Sequence, residues 1–463
     1  MRSTSLSLRC LLAILLCFAL FAGGQLYAQV SAGGDIGSVL FEASSFSSTE
    51  TVVGKGWSHW SPRQETSPSF FVADQPSRDG TGSLGIRGAS KSVVNGCWNY
   101  LVQGVKAGEF YQFESFYFTR RVDNPRHQVM AMLDWRDADG KRVDQPEYVA
   151  DQGSEGQWSK VGGVYRAPKG AVSARMKFFL RFCPQGTVWW DGISLARVDA
   201  PPQRKVRLAT VSCRPRGNSS AEENVEEFCR VARQAGQKNC DIVVLGEAMT
   251  VIGRRGKNHC DPDVAQTVPG PATDRLGEVA RKHNMYIVAC LDERDGAGVY
   301  CTSVLIDRQG KVAGKYRKVT IPREELESGI TPGDCLPVFD TDFGRIGMMI
   351  CFDLQYTHPA QALAYQGAEI ILSPIWGGNE ILAQARTIEN QVYLAICGYD
   401  MRSVIYAPWG MLLAVAEKDD RPCVAYADID LNDRKPYRNE FLGDMRLRYY
   451  REMRPDVKIP GMD

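Results

Sequence analysis

Three residues with complementary chemistry each follow an apolar run in this sequence of 463 residues. Cys351 follows the run 346–350, and Glu247 follows the run 242–245. Lys318 ends a segment that leaves a glycine-containing turn. A thiolate is a nucleophile, a carboxylate can take the thiol proton, and an ammonium can stabilise a developing oxyanion. If the three strand ends converge, these residues have the chemistry of a cysteine hydrolase.

The position of Cys351 bears on its charge state. A polar turn and then a helical pattern at 359–366 follow this cysteine. The amides that open a helix carry partial positive charge, which favours a thiolate over a thiol. We therefore expect the Cys351 sulfur to be biased toward the thiolate. Cysteines in apolar runs are mostly inert packing residues, so the interpretation as a nucleophile depends on Glu247 and Lys318.

The order of these residues resembles the nitrilase, or carbon–nitrogen hydrolase, superfamily. The likeness covers residues 206–430. It is carried by the segments Leu-Gly-Glu247, Tyr-Arg-Lys318, Thr-Pro-Gly-Asp334, Gly-Met-Met-Ile-Cys351-Phe-Asp353 and Gly-Ala-Glu-Ile-Ile-Leu-Ser-Pro374. One departure is the Leu-Gly pair before Glu247, where the family usually has Phe-Pro. The departure changes the turn but not the acid.

The resemblance implies hydrolysis of a non-peptide carbon–nitrogen bond in a small amide or N-carbamoyl (ureido) substrate. Glu247 would be the base, Lys318 the oxyanion donor, and Cys351 the nucleophile that forms a thioester. Neither a metal nor a cofactor is implied. Because Phe and Asp follow Cys351, the chain looks like amidase and carbamoylase members, whereas true nitrilases typically have Trp-Glu there.

Further site residues follow from the same resemblance. Relatives often carry a second Glu between the Lys and the Cys, and the candidates here are Glu324, Glu325 and Glu327. The spacing from Glu327 to the following Pro-Gly pair is closest to that of the family, so we expect Glu327, although a solvated loop acid is its alternative interpretation. The residues expected to line the pocket are Phe352, Asp353, Trp376 and Asn379.

Other chemistries fit the sequence less well. His358 lies seven residues after Cys351, but no acid nearby in sequence would orient it, which disfavours a Cys–His protease. The segment His259-Cys-Asp-Pro-Asp263 lacks a second ligand pair at zinc spacing and is better interpreted as a polar loop. The alternatives to an amidase are a true nitrilase and a non-catalytic exported binding protein.

The first 28 residues have the pattern of a secretory signal peptide. Arg2 and Arg9 precede an apolar stretch at 11–22, which is too short to span a bilayer comfortably. Ala28 offers a small residue for cleavage. We therefore expect export to the periplasm or the medium, with no membrane span after cleavage.

Residues 29–200 are rich in aromatic residues, Gly and Ser, and segments such as 175–182 alternate apolar and basic residues. Short alternating runs between turn clusters predict an antiparallel β-sandwich of the jelly-roll type. The ending 186–195 resembles the closing strand of carbohydrate-binding jelly rolls, so a carbohydrate is a candidate ligand. The tryptophans that would stack on sugar rings are Trp60, Trp98, Trp189 and Trp190. Core packing is the commoner role of Trp in such domains.

The cysteines fit the predicted export poorly. Most of the cysteines beyond the signal peptide lie inside apolar runs, which is typical of buried free thiols rather than of a disulfide framework. Cys97 and Cys183 are the two thiols of residues 29–200, and export would permit a disulfide between them.

A proline-containing linker at 201–205 precedes alternating strand and helix patterns over 206–430. This alternation predicts helices that cover a sheet, and hence a two-domain chain of α+β and α/β character. The resemblance implies a four-layer α-β-β-α sandwich that pairs with a second copy, so we expect a homodimer or a higher homo-oligomer. The charged tail at 431–463 either lies over a neighbouring subunit, as in relatives, or forms a surface strap. The formal net charge of +1 gives no reason to propose nucleic acid as a partner.

Overall fold

The computed structural model describes residues 38–43, 46–47, 56–78, 80, 82–91, 93–254, 262–417 and 421–432. The signal peptide predicted at 1–28 and most of the predicted tail lie outside these residues. The described residues form two compact units: one runs to Val122 and includes Asp151–Asp199, and the other comprises Asp123–Ala150 and the residues from Ala200 onward. In the described part of the chain, no helix has both the length and the apolar character needed to cross a membrane.

The N-terminal part of the chain consists mainly of antiparallel strands. They are β1 (Val39–Ala43), β2 (Trp57–Trp60), β3 (Ser69–Ala73), β4 (Ser83–Arg87), β5 (Asn95–Gln103), β6 (Phe110–Arg120), β7 (Val129–Arg136), β8 (Glu147–Tyr148), β9 (Ala150–Glu155), β10 (Trp158–Arg166), β11 (Ser173–Arg181) and β12 (Thr187–Val198), with a short helix α1 (Pro125–Gln128). One sheet has the order β3-β4-β12-β6-β10-β9 with β1 on β12, and the other has the order β2-β5-β11-β7-β8.

Alternation along β11 explains how its sheet acquires an apolar face. Met176 and Phe178 are fully buried, whereas Lys177 between them is only partly buried. The Phe178 ring contacts the ring of Trp190 on β12 at 5.1 Å between centroids. The indole nitrogen of Trp98 on β5 donates to the Gly85 carbonyl of β4 at 3.0 Å. These contacts join the two sheets through a shared apolar core.

The predicted sugar-stacking tryptophans divide by exposure. Trp98, Trp189 and Trp190 are 2%, 7% and 0% exposed, so they offer no free ring face. Trp60 is 49% exposed. No disulfide joins Cys97 and Cys183, and the Cys183 sulfur lies 3.4 Å from the carbonyl oxygen of Arg121.

The C-terminal part alternates strands and helices, as the sequence predicts. Its strands are β13 (Lys205–Ser212), β14 (Ile242–Val244), β15 (Tyr286–Asp295), β16 (Gly298–Ile306), β17 (Val312–Arg317), β18 (Val338–Asp340), β19 (Arg345–Met348), β20 (Ile370–Ile375), β21 (Tyr393–Gly398), β22 (Ser403–Tyr406), β23 (Leu412–Ala416) and β24 (Cys423–Asp430). Its helices are α2 (Ala221–Gln237), α3 (Pro271–His283), α4 (Arg323–Glu327), α5 (Thr357–Tyr365) and α6 (Glu380–Asn390). In the described residues, short 3-10 helices cover Pro262–Val264 and Cys351–Gln355 in this part and Gln64–Thr66 in the N-terminal part.

Two six-stranded sheets organise the C-terminal part, with the orders β17-β16-β15-β14-β13-β24 and β18-β19-β20-β21-β22-β23. The Thr210 hydroxyl of β13 donates to the Ile396 carbonyl of β21 at 2.6 Å, which connects the sheets directly. Helices α2 and α3 pack on the first sheet, and α5 and α6 on the second. Helix α2 begins at a side-chain cap, in which the Ser220 hydroxyl accepts from the Glu223 amide at 3.2 Å.

Parallel pairing at the centre of each sheet determines where side chains after a strand will lie. Strands β13, β14 and β15 are parallel neighbours in one sheet, and β19, β20 and β21 are parallel neighbours in the other. The carboxyl ends of such strands share one edge, where open α/β sheets bind ligands. Residues that follow β13, β14, β19, β20 and β21 are therefore brought to these edges.

Candidate active site

Cys351 lies in the turn between β19 and α5, just past the strand end, as the sequence predicts. Its backbone has a φ of +42°, a left-handed value that residues other than glycine seldom adopt. Its sulfur contacts the carbonyl oxygen of Gly377 at 3.7 Å. The residue is half-buried. The turn thus holds the thiol at the edge of the sheet instead of within its core.

Lys318 directly follows β17, and its side chain is fully buried. Its Nζ lies 3.1 Å from Oε1 of Glu247 and 2.8 and 2.9 Å from the two carboxylate oxygens of Glu325. Burial alone would lower the pKa of Lys318, but the charges of Glu247 and its neighbours raise that pKa well above its usual value. The side chain is therefore an ammonium fixed between two carboxylates.

Glu247 is fully buried and follows β14. Its Oε1 accepts from the Lys318 ammonium and is 3.9 Å from the sulfur of Cys301. Its backbone carbonyl accepts a 2.7 Å hydrogen bond from the Tyr399 hydroxyl. A Cβ on the preceding Gly246 would lie 2.3 Å from that same hydroxyl oxygen. The Leu-Gly pair that departs from the family pattern therefore makes room for Tyr399.

The Cys351 thiol is held protonated, which corrects the expectation of a thiolate. Burial raises the pKa of Cys351 well above its usual value, and the Glu247 carboxylate raises it further. The Lys318 ammonium and the backbone at Trp376 and Gly377 lower the pKa, but they do not offset these two effects. Deprotonation of this cysteine therefore requires a base.

Glu325 contacts the buried lysine, whereas Glu327 is exposed to solvent. Glu325 and Glu327 both lie on α4, but only the Glu325 carboxylate contacts Lys318. The side chain of Glu327 is 66% exposed, and its Oε1 is 3.5 Å from Nε of Arg323. Glu324 is also exposed and pairs with Arg323. The carboxylate that contacts Lys318 is thus that of Glu325, and not that of Glu327 as expected from the sequence.

Asp353 binds protein groups instead of lining a pocket, which corrects its predicted role. Its carboxylate accepts from the Ile350 amide at 2.9 Å, the Tyr316 hydroxyl at 2.6 Å and the Thr320 amide at 3.2 Å, and also from the Thr320 hydroxyl. Burial raises the pKa of Asp353, while the donors of Thr320 and Tyr316 act in the opposite direction. Asp353 therefore positions the turn that carries Cys351.

The other predicted pocket residues differ in what they contact. Trp376 is half-buried, follows β20, and packs edge-on against Tyr399 with centroids 5.6 Å apart. Phe352 is half-buried and contacts the ring of Tyr356 at 5.6 Å. The Asn379 side chain accepts from the Ile381 amide at 2.8 Å, so it caps α6. Trp376 thus lies beside the carbonyl that Cys351 contacts, whereas Asn379 is occupied as a helix cap.

Two residues near this site were not singled out from the sequence. Tyr399 follows β21 and holds the backbone of Glu247. Arg214 follows β13, and its guanidinium carbon is 5.7 Å from the centroid of the Trp376 ring. Their position after the carboxyl ends of parallel strands is the signal that would have revealed them. Within the described ranges, no group of three or more His, Cys, Asp and Glu side chains is arranged to hold a metal ion.

Known proteins resemble the half of the chain that carries this site. The profile of the carbon-nitrogen hydrolase family matches residues 207–439. The omega-amidase NIT2 of Bos taurus is 30% identical over 240 residues, which cover 46% of this chain and 85% of that protein. A nitrilase from Pyrococcus abyssi is 30% identical over 266 residues, covering 53% of this chain and 99% of that protein.

A solved structure of an amidase from Nesterenkonia sp. is also similar, with 23% sequence identity and a TM-score of 0.43, covering 50% of this chain and 93% of that one. The family profile spans half of the chain, from β13 to beyond β24, and includes every residue of the site. The C-terminal half therefore has a nitrilase-type fold, and the chain belongs to the carbon–nitrogen hydrolase family.

Proposed function

We propose that this chain hydrolyses small amides through a thioester at Cys351, with Glu247 and Lys318 as its catalytic partners. The observation that carries the proposal is the buried Lys318 ammonium in contact with both Glu247 and Glu325. Desolvating charges is costly, so a buried acid–ammonium–acid group is hard to justify on stability alone. It lies beside a thiol whose pKa both Glu247 and Lys318 alter. Base, oxyanion donor and nucleophile are the set that acyl transfer requires.

The reaction begins with the protonated thiol of Cys351. Glu247 takes its proton as the sulfur attacks the amide carbonyl carbon, and the carbonyl oxygen becomes an oxyanion. The Lys318 ammonium and the backbone amide next to Cys351 stabilise that oxygen, and loss of one such donor typically costs about 100- to 1,000-fold in rate. Glu247 then protonates the nitrogen, so that ammonia leaves and a thioester remains.

Hydrolysis of the thioester completes the cycle. Glu247, again a carboxylate, takes a proton from water as the water oxygen attacks the thioester carbon. The carboxylic acid product departs, and the proton returns to the sulfur of Cys351. Glu325 would hold the Lys318 ammonium in place through both steps, in the role first expected of Glu327. One carboxylate thus serves as base, acid and base again.

Amides and N-carbamoyl amines are the substrate classes that we favour. The Phe-Asp pair after Cys351 supports this choice, because the chain resembles amidase and carbamoylase members of the family at these positions. The similarity to a protein named omega-amidase also supports it. A nitrile substrate is the alternative, because a protein named nitrilase matches with equal identity.

We also propose an architecture for the whole chain. The contacts between the two C-terminal sheets, with helix pairs on each, support a four-layer α-β-β-α sandwich. The family to which the chain belongs supports its assembly as a homo-oligomer. The core shared by the two N-terminal sheets supports a jelly-roll β-sandwich over 29–200. The exposed ring of Trp60 supports a carbohydrate ligand for that domain. The pattern of residues 1–28 supports export.

A substrate panel with a thiol-deleted control tests the proposed chemistry. Purified protein and Cys351→Ala are each incubated with amides, N-carbamoyl amines and nitriles, and ammonia is assayed. We expect ammonia from amides or N-carbamoyl amines with the parent chain only, and an acyl mass on the Cys351 peptide after a rapid acid quench. Ammonia release that survives Cys351→Ala would overturn the thiol mechanism. A panel without turnover or acylation would favour the non-catalytic binding protein.

A further inference from the structure

Two arginines lie side by side on one face of the larger N-terminal sheet. Arg87 on β4 and Arg120 on β6 are both register partners of Thr187 on β12, the strand between them. Directly paired residues point to the same face of a sheet, and neighbouring strands are about 4.8 Å apart, so the two Cα atoms are separated by roughly 10 Å. The sequence analysis gives neither arginine a role.

This face lies on the opposite side of the sheet from the apolar core. Trp190 on β12 is fully buried and contacts the ring of Phe178 in the other N-terminal sheet. Side chains alternate along a strand, so Thr187, three positions before Trp190, points the other way. Arg87 and Arg120 share the side of Thr187, and both are exposed. The two guanidinium groups are therefore carried on the outer face of this sheet.

A row of aromatic rings lies beside the arginines on the same face. The row runs across four strands, from Phe71 through Trp189 and Phe118 to Trp158, with neighbouring centroids 6.4, 5.7 and 5.9 Å apart. Gly85 leaves room for it, since a Cβ there would lie 2.3 Å from the Phe71 ring. Phe71 and Phe118 are partly exposed, whereas the two tryptophans are buried. The row is a line of apolar surface instead of a pocket, which suits an extended chain molecule better than a small ion.

Cation–π contacts hold both arginines over this row. The guanidinium carbon of Arg87 is 5.1 Å from the ring centroid of Phe71. That of Arg120 is 5.8 Å from the centroid of Phe118 and 5.7 Å from that of Trp189. A guanidinium that lies over a ring keeps the N–H donors at its edge available. Little side-chain freedom would therefore be lost when an anion binds to either arginine.

Acids do not balance the charge of these two arginines. Among the described residues, neither Arg87 nor Arg120 forms an ion pair with a carboxylate. Farther along the same face, by contrast, Arg78 lies 3.7 Å over the Phe116 ring and pairs with Glu155 at 2.6 Å. Two like charges on neighbouring strands repel each other unless an anion lies between them. Charge complementarity therefore points to an anionic ligand.

The arrangement of the two arginines favours a sulfate ester over a carboxylate. A carboxylate presents two oxygens along one edge, which suits the fork of a single arginine. A sulfate ester presents three oxygens that point in different directions, so it can accept from guanidinium groups on both of its sides. The line of rings beside the arginines provides apolar contact for the sugar rings that would carry such an ester.

We propose that the face formed by Arg87, Arg120, Phe71 and Phe118 binds a sulfated polysaccharide. A sulfate ester accepts from both guanidinium groups, and adjoining sugar rings contact the two phenyl rings. The inference is independent of the proposed amide hydrolysis. It goes beyond the carbohydrate ligand proposed for Trp60, because Trp60 lies on β2 of the other sheet and the ligand here must be charged. The competing interpretation is that both arginines only cover apolar surface.

The test compares two polysaccharides with the same backbone, dextran and dextran sulfate. Titration calorimetry of the purified protein at physiological ionic strength should show binding of dextran sulfate and none of dextran. In Arg87→Gln/Arg120→Gln we expect the Kd for dextran sulfate to rise by about 10- to 100-fold, because hydrogen bonds to a charged group are lost. An unchanged Kd in the double variant, or no binding to the parent chain, would overturn the proposal. Polygalacturonate that binds as tightly as dextran sulfate would overturn the choice of a sulfate ester.

Arg166→Gln is the matched control. Arg166 is exposed on β10 of the same sheet, and its guanidinium carbon is 5.8 Å from the centroid of Phe110, as that of Arg120 is from Phe118. Arg166 pairs with Phe110 at the start of β6, whereas Arg120 ends that strand, so the two arginines lie about 33 Å apart. Arg120→Gln should weaken binding of dextran sulfate, and Arg166→Gln, which removes the same charge, should not. An equal loss in both would show attraction to net charge alone and overturn the proposal.

Two further measurements separate this inference from the proposed functions. We expect Trp60→Ala to leave the Kd for dextran sulfate unchanged, and Arg87→Gln/Arg120→Gln to leave amide hydrolysis unchanged. Binding that is lost in Trp60→Ala but kept in the arginine variant overturns the role of the arginines and leaves the sugar site at Trp60. Binding that depends on the arginines in a protein that hydrolyses no amide supports this inference and overturns the proposed chemistry instead.

Discussion

The Tyr316 hydroxyl donates a 2.6 Å hydrogen bond to the buried Asp353 carboxylate. Tyr316 lies in β17, two residues before Lys318, and Asp353 lies two residues after Cys351. One hydrogen bond therefore connects the strand that carries the ammonium to the turn that carries the thiol. These two groups belong to different sheets, so their spacing depends on a few such bonds between side chains.

Removing the hydroxyl of Tyr316 should disturb both stability and chemistry. In Tyr316→Phe, the buried Asp353 loses a donor, which should lower the free energy of unfolding by about 1–3 kcal/mol. A small displacement of Cys351 relative to Lys318 should also lower kcat, by up to about 100-fold. Urea titration and steady-state assays measure the two effects. Tyr300→Phe on the neighbouring strand is the control, and equal behaviour of the two variants would contradict the role given to Tyr316.

Lys318 should be important for folding as well as for turnover. Lys318→Met leaves the Glu247 and Glu325 carboxylates without their shared ammonium, and breaking a buried ion pair from one side typically costs about 3–5 kcal/mol. The double variant Lys318→Met with Glu247→Gln should recover part of that loss. Denaturant unfolding of the single and double variants measures it. Lys315→Met is the matched control, because Glu293, the partner of Lys315, keeps Arg317. If the double variant recovers no stability, the loss in Lys318→Met does not come from the unpaired carboxylate charge.

The same substitution at two glutamates of helix α4 should change kcat in one variant and not in the other. Glu325→Gln weakens the charge that holds the Lys318 ammonium, so kcat should fall by about 10- to 1,000-fold, the range seen for loss of electrostatic groups at oxyanion sites. Glu327→Gln removes an exposed partner of Arg323 and should leave kcat unchanged. Steady-state kinetics on the favoured amide provide the comparison. A larger loss of kcat in Glu327→Gln than in Glu325→Gln would support Glu327, the acid favoured from the sequence, as the auxiliary acid.

The charge of Glu247 should be visible in the reactivity of Cys351. Its carboxylate raises the pKa of the Cys351 thiol, so Glu247→Gln should lower that pKa while abolishing amide turnover. Alkylation by iodoacetamide, followed by mass spectrometry of the Cys351 peptide, should reach half its maximal rate at a lower pH in Glu247→Gln than in the parent chain. The assay is made in a Cys335→Ser background, since Cys335 is exposed. A shift to higher pH would show that the Glu247 carboxylate lowers the pKa of the Cys351 thiol, contrary to the assignment made here.

The strand and helix order of the C-terminal half was accessible from the sequence because burial and periodicity agree there. The apolar runs 242–245 and 346–350 that the sequence offers overlap β14 (Ile242–Val244) and β19 (Arg345–Met348). Strand β15 reaches Asp295, because its polar end pairs with Gly298 across a hairpin and needs no apolar pattern. Glu247, Lys318 and Cys351 were chosen as candidates because each follows a strand pattern in the sequence.

Other parts of the site depend on tertiary geometry that no sequence pattern carries. Glu325 and Glu327 are two residues apart on one helical turn, so they point in different directions, and only packing decides which one meets Lys318. The protonation of Cys351 reflects burial beside Glu247, which the position before a helix does not reveal. Asp353 was expected in the pocket from its place beside Cys351, but two of the residues that donate to its carboxylate, Tyr316 and Thr320, are distant in sequence.

The close contact between Gly246 and the Tyr399 hydroxyl has a consequence for how this chain can diverge. The backbone of Glu247 is held by a residue of the opposite sheet, at a point where no side chain fits on residue 246. A larger residue at 246 is compatible with the fold only if residue 399 becomes smaller. Positions 246 and 399 should therefore covary among descendants of this protein, with bulk exchanged between them while the acid itself stays fixed.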